Sequence, residues 1–315
     1  MTHPAVEAAQ LTRTYGDFTA VDAFDLTVPA GTVVSLLGPN GAGKTTIVRM
    51  LATLIRPTAG SARVCGHDIA AEPAVVRSMI SLTGQFTALE DILTARENLL
   101  LMARLRGHGK RGAVKVTDWL VDRFDLGEFR DQHVRSLSGG QRRRVDIAAS
   151  LVVQPRVLVL DEPTTGLDPR SRQIVWSTVR ELVAEGVTLL LTTQYLDEAD
   201  ALSDQIVLLE HGRATASGTP AELKNRVGHQ RVDVTTTDAD GFARLREALA
   251  PRFALTDVPE RLLLQVPAPR AAEDLEAVTR AVLESGVGVD EIVLRSPTLD
   301  DVFLALTGHP AKDRT

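Results

Sequence analysis

The chain has 315 residues and a formal net charge of −6, which suits a core domain of about 200–230 residues plus a smaller one and argues against a general nucleic-acid binder. The single cysteine, Cys65, rules out an intramolecular disulfide framework and fits a reducing compartment. No apolar run approaches the ~18 residues of a membrane span, and the opening Met-Thr-His-Pro-Ala-Val-Glu lacks the basic stretch and apolar core of a signal peptide.

Val6 to Leu11 and Val21 to Val28 read as strands on either side of a turn at Tyr15-Gly16-Asp17. An aromatic ring such as Tyr15 can stack on a base, or it can be a half-buried tyrosine at a strand end. The apolar run Val33 to Leu37 leads into Gly38-Pro39-Asn40-Gly41-Ala42-Gly43-Lys44-Thr45-Thr46, and helical periodicity follows from Thr45 to Leu54. Strand, glycine loop and helix in that order place converging backbone N–H groups at a helix start, where a polyphosphate binds. Gly38, Gly41 and Gly43 let the backbone wrap closely. Lys44 can reach the β and γ phosphates, and the Thr45 hydroxyl can sit on Mg²⁺.

Arg56-Pro57-Thr58-Ala59-Gly60 ends that helix, and Arg63 to Gly66 reads as a short strand and turn. Met79 to Thr83 reads as a strand with Gln85 beyond its tip, where a glutamine can touch a metal or a water, or can be a surface loop residue. Helices are predicted over Thr94–Leu105 and Val116–Phe124, with Trp119, Leu120 and Phe124 on a buried face, separated by a basic loop at Gly107–Gly112. This section, about 90–150, reads as a helical insert between two halves of an α/β core. Ser138 is a good N-cap with Gln141 three residues later, the pattern of a capping box. Yet Gly139-Gly140 is costly at a helix start unless the bared N–H groups serve an anion.

Arg156 to Glu162 reads as an apolar strand ending in two acids. Asp161 at the tip can hold Mg²⁺. Glu162, pointing differently by strand alternation, can accept a proton from an attacking water. Further strands are expected at Val187–Thr192, with Gln194 beyond the tip, and at Ile206–Leu209. Helices are expected from Arg170 to Ala184 and from Thr219 onward. After about Val227 the pattern reads β-α-β-β-α-β, with strands at 231–236, 252–255, 261–266 and 288–295, the order of a small ferredoxin-like α+β domain. A last helix over Thr298–Leu306 carries Leu299, Val302, Phe303 and Leu306 on one stripe.

Taken together, these motifs resemble those of the ATP-binding cassette (ABC) ATPases over roughly residues 4–228. The segments Tyr15–Val21, Thr192–Asp200 and Pro297–Gly308 resemble the daunorubicin/doxorubicin-resistance exporter ATPases. The resemblance implies a P-loop NTPase with a RecA-like core, an antiparallel β subdomain and a helical subdomain, followed by an accessory domain from 229 to 315. It implies that ATP and Mg²⁺ bind, that Tyr15 stacks on adenine, and that Gly38 to Thr46 hold the phosphates. Thr45, Gln85 and Asp161 would serve the metal, with Glu162 as general base. Ser138, Gly139, Gly140 and Gln141 would address ATP bound to the opposite subunit of a homodimer, with Asp168 connecting the two sites. The implied partner is a separate integral-membrane permease at the cytoplasmic face of the cell membrane, and no nucleic acid is expected. Gln194 stands where the superfamily usually has histidine; it can donate an N–H to a phosphate oxygen but carries no titratable proton. The rival readings are a non-transport, nucleotide-gated protein associated with ribosomes or RNA, and a catalytically weak regulatory ATPase.

Overall fold

In the computed structural model, which describes residues 4–84, 89–227 and 230–307, the chain opens on a hairpin. β1 (Val6–Tyr15) and β2 (Phe18–Val28) pair antiparallel across a two-residue turn whose Gly16 is left-handed. β3 (Val33–Leu37) is buried at every position and feeds the glycine loop and α1 (Lys44–Leu51). That helix stops three residues short of the predicted end, because Thr53 takes a left-handed conformation (φ 61). β4 (Ala59–Val64) and β5 (His67–Asp68) extend the hairpin into a four-stranded antiparallel sheet, β2-β1-β4-β5. α2 (Pro73–Met79), too short to announce itself by periodicity, precedes β6 (Ile80–Thr83). Gln85 lies outside the described residues.

The insert is helical. α3 (Ala95–Leu105) starts at a capping box in which Thr94 accepts from the Glu97 N–H and Glu97 accepts from the Thr94 N–H. α4 (Lys110–Arg123) begins inside the basic stretch predicted as loop. This earlier start sets its buried stripe at Ala113, Thr117, Leu120 and Val121, with Phe124 at the end. Trp119, predicted to be buried, falls off that stripe and is 47% exposed, with the Arg123 guanidinium 5.6 Å from its ring centre. α5 (Gly139–Ser150) follows, its box formed by Ser138 and Gln141.

The second half of the α/β core is β7 (Val157–Asp161), α6 (Pro169–Ala184), β8 (Thr188–Thr193), α7 (Leu196–Leu202), β9 (Gln205–Glu210) and β10 (Arg213–Gly218). The sheet runs β10-β9-β3-β8-β7-β6 and is parallel except for the β9–β10 edge hairpin. Its central strands are covered on both faces and read as continuous apolar runs. Leu158, Leu160, Leu189 and Leu191 join the core of the helical insert. Val157, Val159, Leu190 and Leu36 face the other way, into a core with Phe24, Leu26, Ile47 and Met50. β3, β7 and β8 all end at one edge, at Leu37, Asp161 and Thr193.

The chain divides into two units between Pro220 and Ala221; residues 228 and 229, where the sequence pattern changes, lie outside the described residues. Past α8 (Pro220–Val227) come β11 (Arg231–Thr236), α9 (Ala239–Leu249), β12 (Thr256–Val258), β13 (Leu263–Pro267), α10 (Ala272–Ser285), β14 (Val289–Arg295) and α11 (Leu299–Thr307). The fully antiparallel order β12-β13-β11-β14 is the ferredoxin-like arrangement. The strand predicted at 252–255 lies instead at 256–258, because Phe253 and Leu255 turn into the core ahead of it. Leu245, Leu249, Val278 and Val282 of the two long helices cover Val232, Val234 and Leu264 of the sheet. On α11, Leu299 and Val302 are buried, and the Leu306 side chain is outside those described.

Leu99, fully buried in the insert, offers a direct test of this packing. Leu99→Ala is expected to lower the stability of the first unit by about 2–5 kcal/mol, read as an earlier midpoint in urea unfolding of the full chain.

Candidate functional site

The glycine loop is pinned at Gly38 and Gly43 by neighbours that leave no space for side chains, while Gly41 faces open space and is required by its left-handed backbone at φ 83. A Cβ on Gly38 would lie 2.3 Å from the Leu209 carbonyl oxygen, and one on Gly43, already left-handed at φ 101, would lie 2.6 Å from that of Ala20. The loop therefore delivers Lys44 to the first position of α1. Lys44 is 4% exposed, and its ammonium donates to the Gly38 carbonyl at 2.7 Å and the Pro39 carbonyl at 3.1 Å. It also pairs with Glu162 Oε1 at 3.4 Å. Burial pulls the ammonium's pKa down, and the charges of Glu162 and Asp161 oppose that pull.

Asp161 closes β7 and is buried. Its Oδ1 accepts from the Thr192 hydroxyl and, at 3.3 Å, from the Thr45 hydroxyl. A carboxylate and a hydroxyl converging at that distance are hard oxygen donors, the set that suits Mg²⁺. Glu162 does not continue the strand alternation. It is left-handed at φ 50, its N–H bonded to the Thr192 carbonyl at 3.0 Å and hydroxyl at 3.1 Å. That turn brings its carboxylate back over the loop, where it meets Lys44 and accepts from the Thr165 hydroxyl at 3.3 Å. A left-handed non-glycine residue costs on the order of 1–3 kcal/mol and persists where its surroundings over-determine it. A cavity of about 440 Å³ opens here, lined by Phe18, Ala20, Asn40 to Thr46 and Glu162.

Two aromatic residues stand at the hairpin tip. Tyr15 is 45% exposed and lies outside the cavity lining, with the Arg13 guanidinium 4.4 Å from its ring centre. Phe18, its register partner across the turn, is 65% exposed and does line the cavity. Sequence reasoning passed over Phe18; the available signal was a second ring on the far side of a two-residue turn. Ser138, Gly139, Gly140 and Gln141 form the start of α5 and are not among the lining residues. Gln194 is half-buried in the link between β8 and α7. Asp168 caps α6, accepting from the Ser171 N–H at 3.0 Å and hydroxyl at 2.5 Å. Four residues past Gln194, the fully buried Glu198 accepts from the Thr164 hydroxyl at 2.8 Å and the Trp176 indole N–H at 3.2 Å. Burial pushes its carboxyl up from the ordinary value, against those two hydrogen bonds.

Residues 21–165 match the family described as ABC transporter, and residues 218–307 match the ATP-binding protein DrrA1-3-like C-terminal domain. The chain is 48% identical to the daunorubicin/doxorubicin resistance ATP-binding protein DrrA of Streptomyces peucetius, across 99% of this chain and 94% of that protein. It belongs to the ABC transporter ATP-binding proteins of the DrrA group. A more distant member, the Nod factor export ATP-binding protein I of Sinorhizobium fredii strain NBRC 101917 / NGR234, is 37% identical over 98% of this chain and 88% of its own length. Among solved structures, a dimeric, post-hydrolysis ATP-binding cassette bound to ADP and Pi, MJ0796, is 25% identical. The match has a TM-score of 0.63 and covers 68% of this chain and 98% of that one. This ABC protein is thus an ATPase with the cassette fold, and no helix among its described residues is long and apolar enough to cross a membrane.

The buried acid of this ATPase gives a pH prediction. Glu198 has a folded-state pKa raised above its ordinary 4.5. Its environment therefore costs nothing below that value, and the cost grows as pH rises from there through the raised pKa. Glu198→Gln removes the titration and keeps an acceptor for Thr164 and Trp176. Thermal midpoints are expected to favour the variant, relative to wild type, more at pH 8 than at pH 4.5.

Proposed function

We propose that two copies of this chain sandwich ATP and drive a separately encoded integral-membrane permease that exports drugs, antibiotics or lipids from the cytoplasmic face of the cell membrane. The observation that carries the reading is the convergence of the buried Lys44, the Thr45 hydroxyl and two carboxylates on one loop, with Lys44 3.4 Å from Glu162 and Thr45 3.3 Å from Asp161. In this reading Lys44 and the N–H groups of residues 38–46 hold the β and γ phosphates. Thr45 and Asp161, with Gln85, hold Mg²⁺, which when bound offsets the phosphate charge. Glu162 accepts the proton of the attacking water. Tyr15 stacks on the adenine, and Phe18, its partner across the turn, bounds the cavity at the glycine loop.

The start of α5, with Ser138, Gly139, Gly140 and Gln141, addresses the γ-phosphate of the nucleotide held by the other copy. Asp168 connects the two sites. Two features support this: the glycine pair places no side chain of its own on the first N–H groups of α5, and a structurally similar cassette is described as dimeric. A permease partner is supported by the relatives' names as resistance and export proteins, and by Ile92 and Leu105, 70% and 71% exposed in the helical insert. The relatives' names span daunorubicin resistance and Nod factor export.

Glu162→Gln keeps shape and hydrogen bonding but removes the base. It is expected to bind ATP, to slow hydrolysis far more than binding, and to accumulate as a dimer with ATP and Mg²⁺ in size-exclusion chromatography with scattering detection. A variant that stays monomeric counts against the role of Glu162.

Gln194 is assigned one hydrogen bond to the γ-phosphate. Losing a charge-assisted contact costs about 1.5–3 kcal/mol, so Gln194→Ala should lower turnover about ten- to 150-fold with a smaller change in nucleotide affinity. Gln194→His should remain active and add a titration near neutral pH. Steady-state ATPase measured across pH for the three proteins decides it: an alanine variant as fast as wild type at saturating ATP makes Gln194 a strand-end residue only.

A further inference from the structure

Arg143 sits one turn into α5 and is 7% exposed, in a position where a charge needs a reason. Its guanidinium is spent almost entirely on backbone carbonyls. Nε donates to Pro163 at 2.9 Å, Nη1 to Gly84 at 2.9 Å, and Nη2 to Asp161 at 3.4 Å. Nη1 also meets the Asp146 carboxylate, one turn further along the same helix and 5% exposed, at 2.9 Å.

The three carbonyls are not scattered. Asp161 and Pro163 flank Glu162 on both sides, and Gly84 follows the last residue of β6, the strand beside β7. One planar, rigid group thus ties the helix that begins at Gly139-Gly140 to the ends of two neighbouring strands. It grips the backbone on either side of Glu162, which is held left-handed. A lysine carries a single nitrogen and cannot serve carbonyls spread along such a fork. Burial alone pulls the guanidinium's pKa down, and the charges of Asp146, Glu198 and Asp161 oppose that pull.

We infer that Arg143 is a positioning residue for ATP hydrolysis: by bonding the carbonyls of Asp161 and Pro163 together with that of Gly84, it fixes the Glu162 carboxylate relative to the start of α5. Displacement of α5, or of Gly84 just past the end of β6, then reaches Glu162 through one group. The inference rests on the reading of Glu162 as general base. Its partner Asp146 supplies compensating charge, and neither residue is among those lining the cavity at the glycine loop.

Three variants of the full chain test it: Arg143→Lys, the double variant Arg143→Met/Asp146→Leu, and Glu162→Gln. The double variant removes both members of the Arg143–Asp146 ion pair, so that neither is left without the other, and its thermal midpoint reads what the three carbonyls lose with their donor. Each protein is measured for thermal midpoint, equilibrium binding of a fluorescent ATP analogue, and kcat and KM of ATP hydrolysis. Displacing a catalytic group by about 1 Å can cost 10²-fold. Both Arg143 variants are therefore expected to lose about ten- to a hundredfold in kcat while analogue affinity stays within about threefold. A folded Arg143 variant with wild-type kcat overturns the inference, as does a loss of affinity as large as the loss of turnover, which marks a general structural role. Glu162→Gln separates the two readings. If it hydrolyses ATP like wild type, the base assignment has failed. If it is inactive while the double variant is fully active, only the positioning role of Arg143 has failed.

Discussion

A cation buried among carbonyl oxygens and one carboxylate is the constraint on which this site depends. Lys44 is removed from water, and its stabilising partners come from two parts of the chain far apart in sequence: the loop after β3 and the residue after β7. The parallel sheet makes that meeting possible, because β3, β8 and β7 are successive neighbours whose ends lie along one edge. Strands buried on both faces leave little freedom of register, since a one-residue slip would exchange the sets that face the two cores. The apolar alternation in Val157–Asp161 and Thr188–Thr193 thereby fixes where a carboxylate and an ammonium stand.

Around that pair the polar groups are coupled rather than independent. Thr192 on the middle strand bonds Asp161 through its hydroxyl, and both its hydroxyl and its carbonyl receive the Glu162 N–H. Thr164, just past Glu162, donates to Glu198 on α7, and Asp168 begins α6. The turn between β7 and α6 is thus held from the sheet and from α7, with Arg143 gripping it from α5. Buried networks of this kind specify one geometry when their members are satisfied.

Much of this was legible in the sequence because local and global signals agree there. The glycine loop sits between an apolar run and a helix, the paired acids end a continuous apolar strand, and Ser138 and Gln141 have capping-box spacing; each is a short-range pattern with a physical cause. What was not legible depends on phase or on distance. Trp119 was assigned to the wrong face because α4 starts at Lys110, six residues before the apparent periodicity, and only the full helix sets the stripe. Phe18 was overlooked because its role comes from pairing across the turn with Tyr15. The left-handed backbone of Glu162 has no signature in residue type, since glutamate does not favour that conformation. Arg143 is one of three consecutive arginines, and nothing local distinguishes the buried one. In the second unit the β-α-β-β-α-β order was readable from alternation, but β12 was displaced by several residues because short strands carry little period.

The left-handed conformation at Glu162 sets backbone strain against charge at a single position. A glycine there would adopt φ 50 without steric cost and relieve strain on the order of 1–3 kcal/mol, yet it would delete the carboxylate 3.4 Å from the buried Lys44 ammonium and leave that charge with carbonyl partners alone. Backbone strain and the buried charge of Lys44 therefore pull residue 162 in opposite directions, and the proposed role of Glu162 as general base adds to the pull toward glutamate. A change at residue 162 thus reaches Lys44 first, through the charge it leaves uncompensated, while the apolar strands on either side, which the fold itself requires, stay as they are.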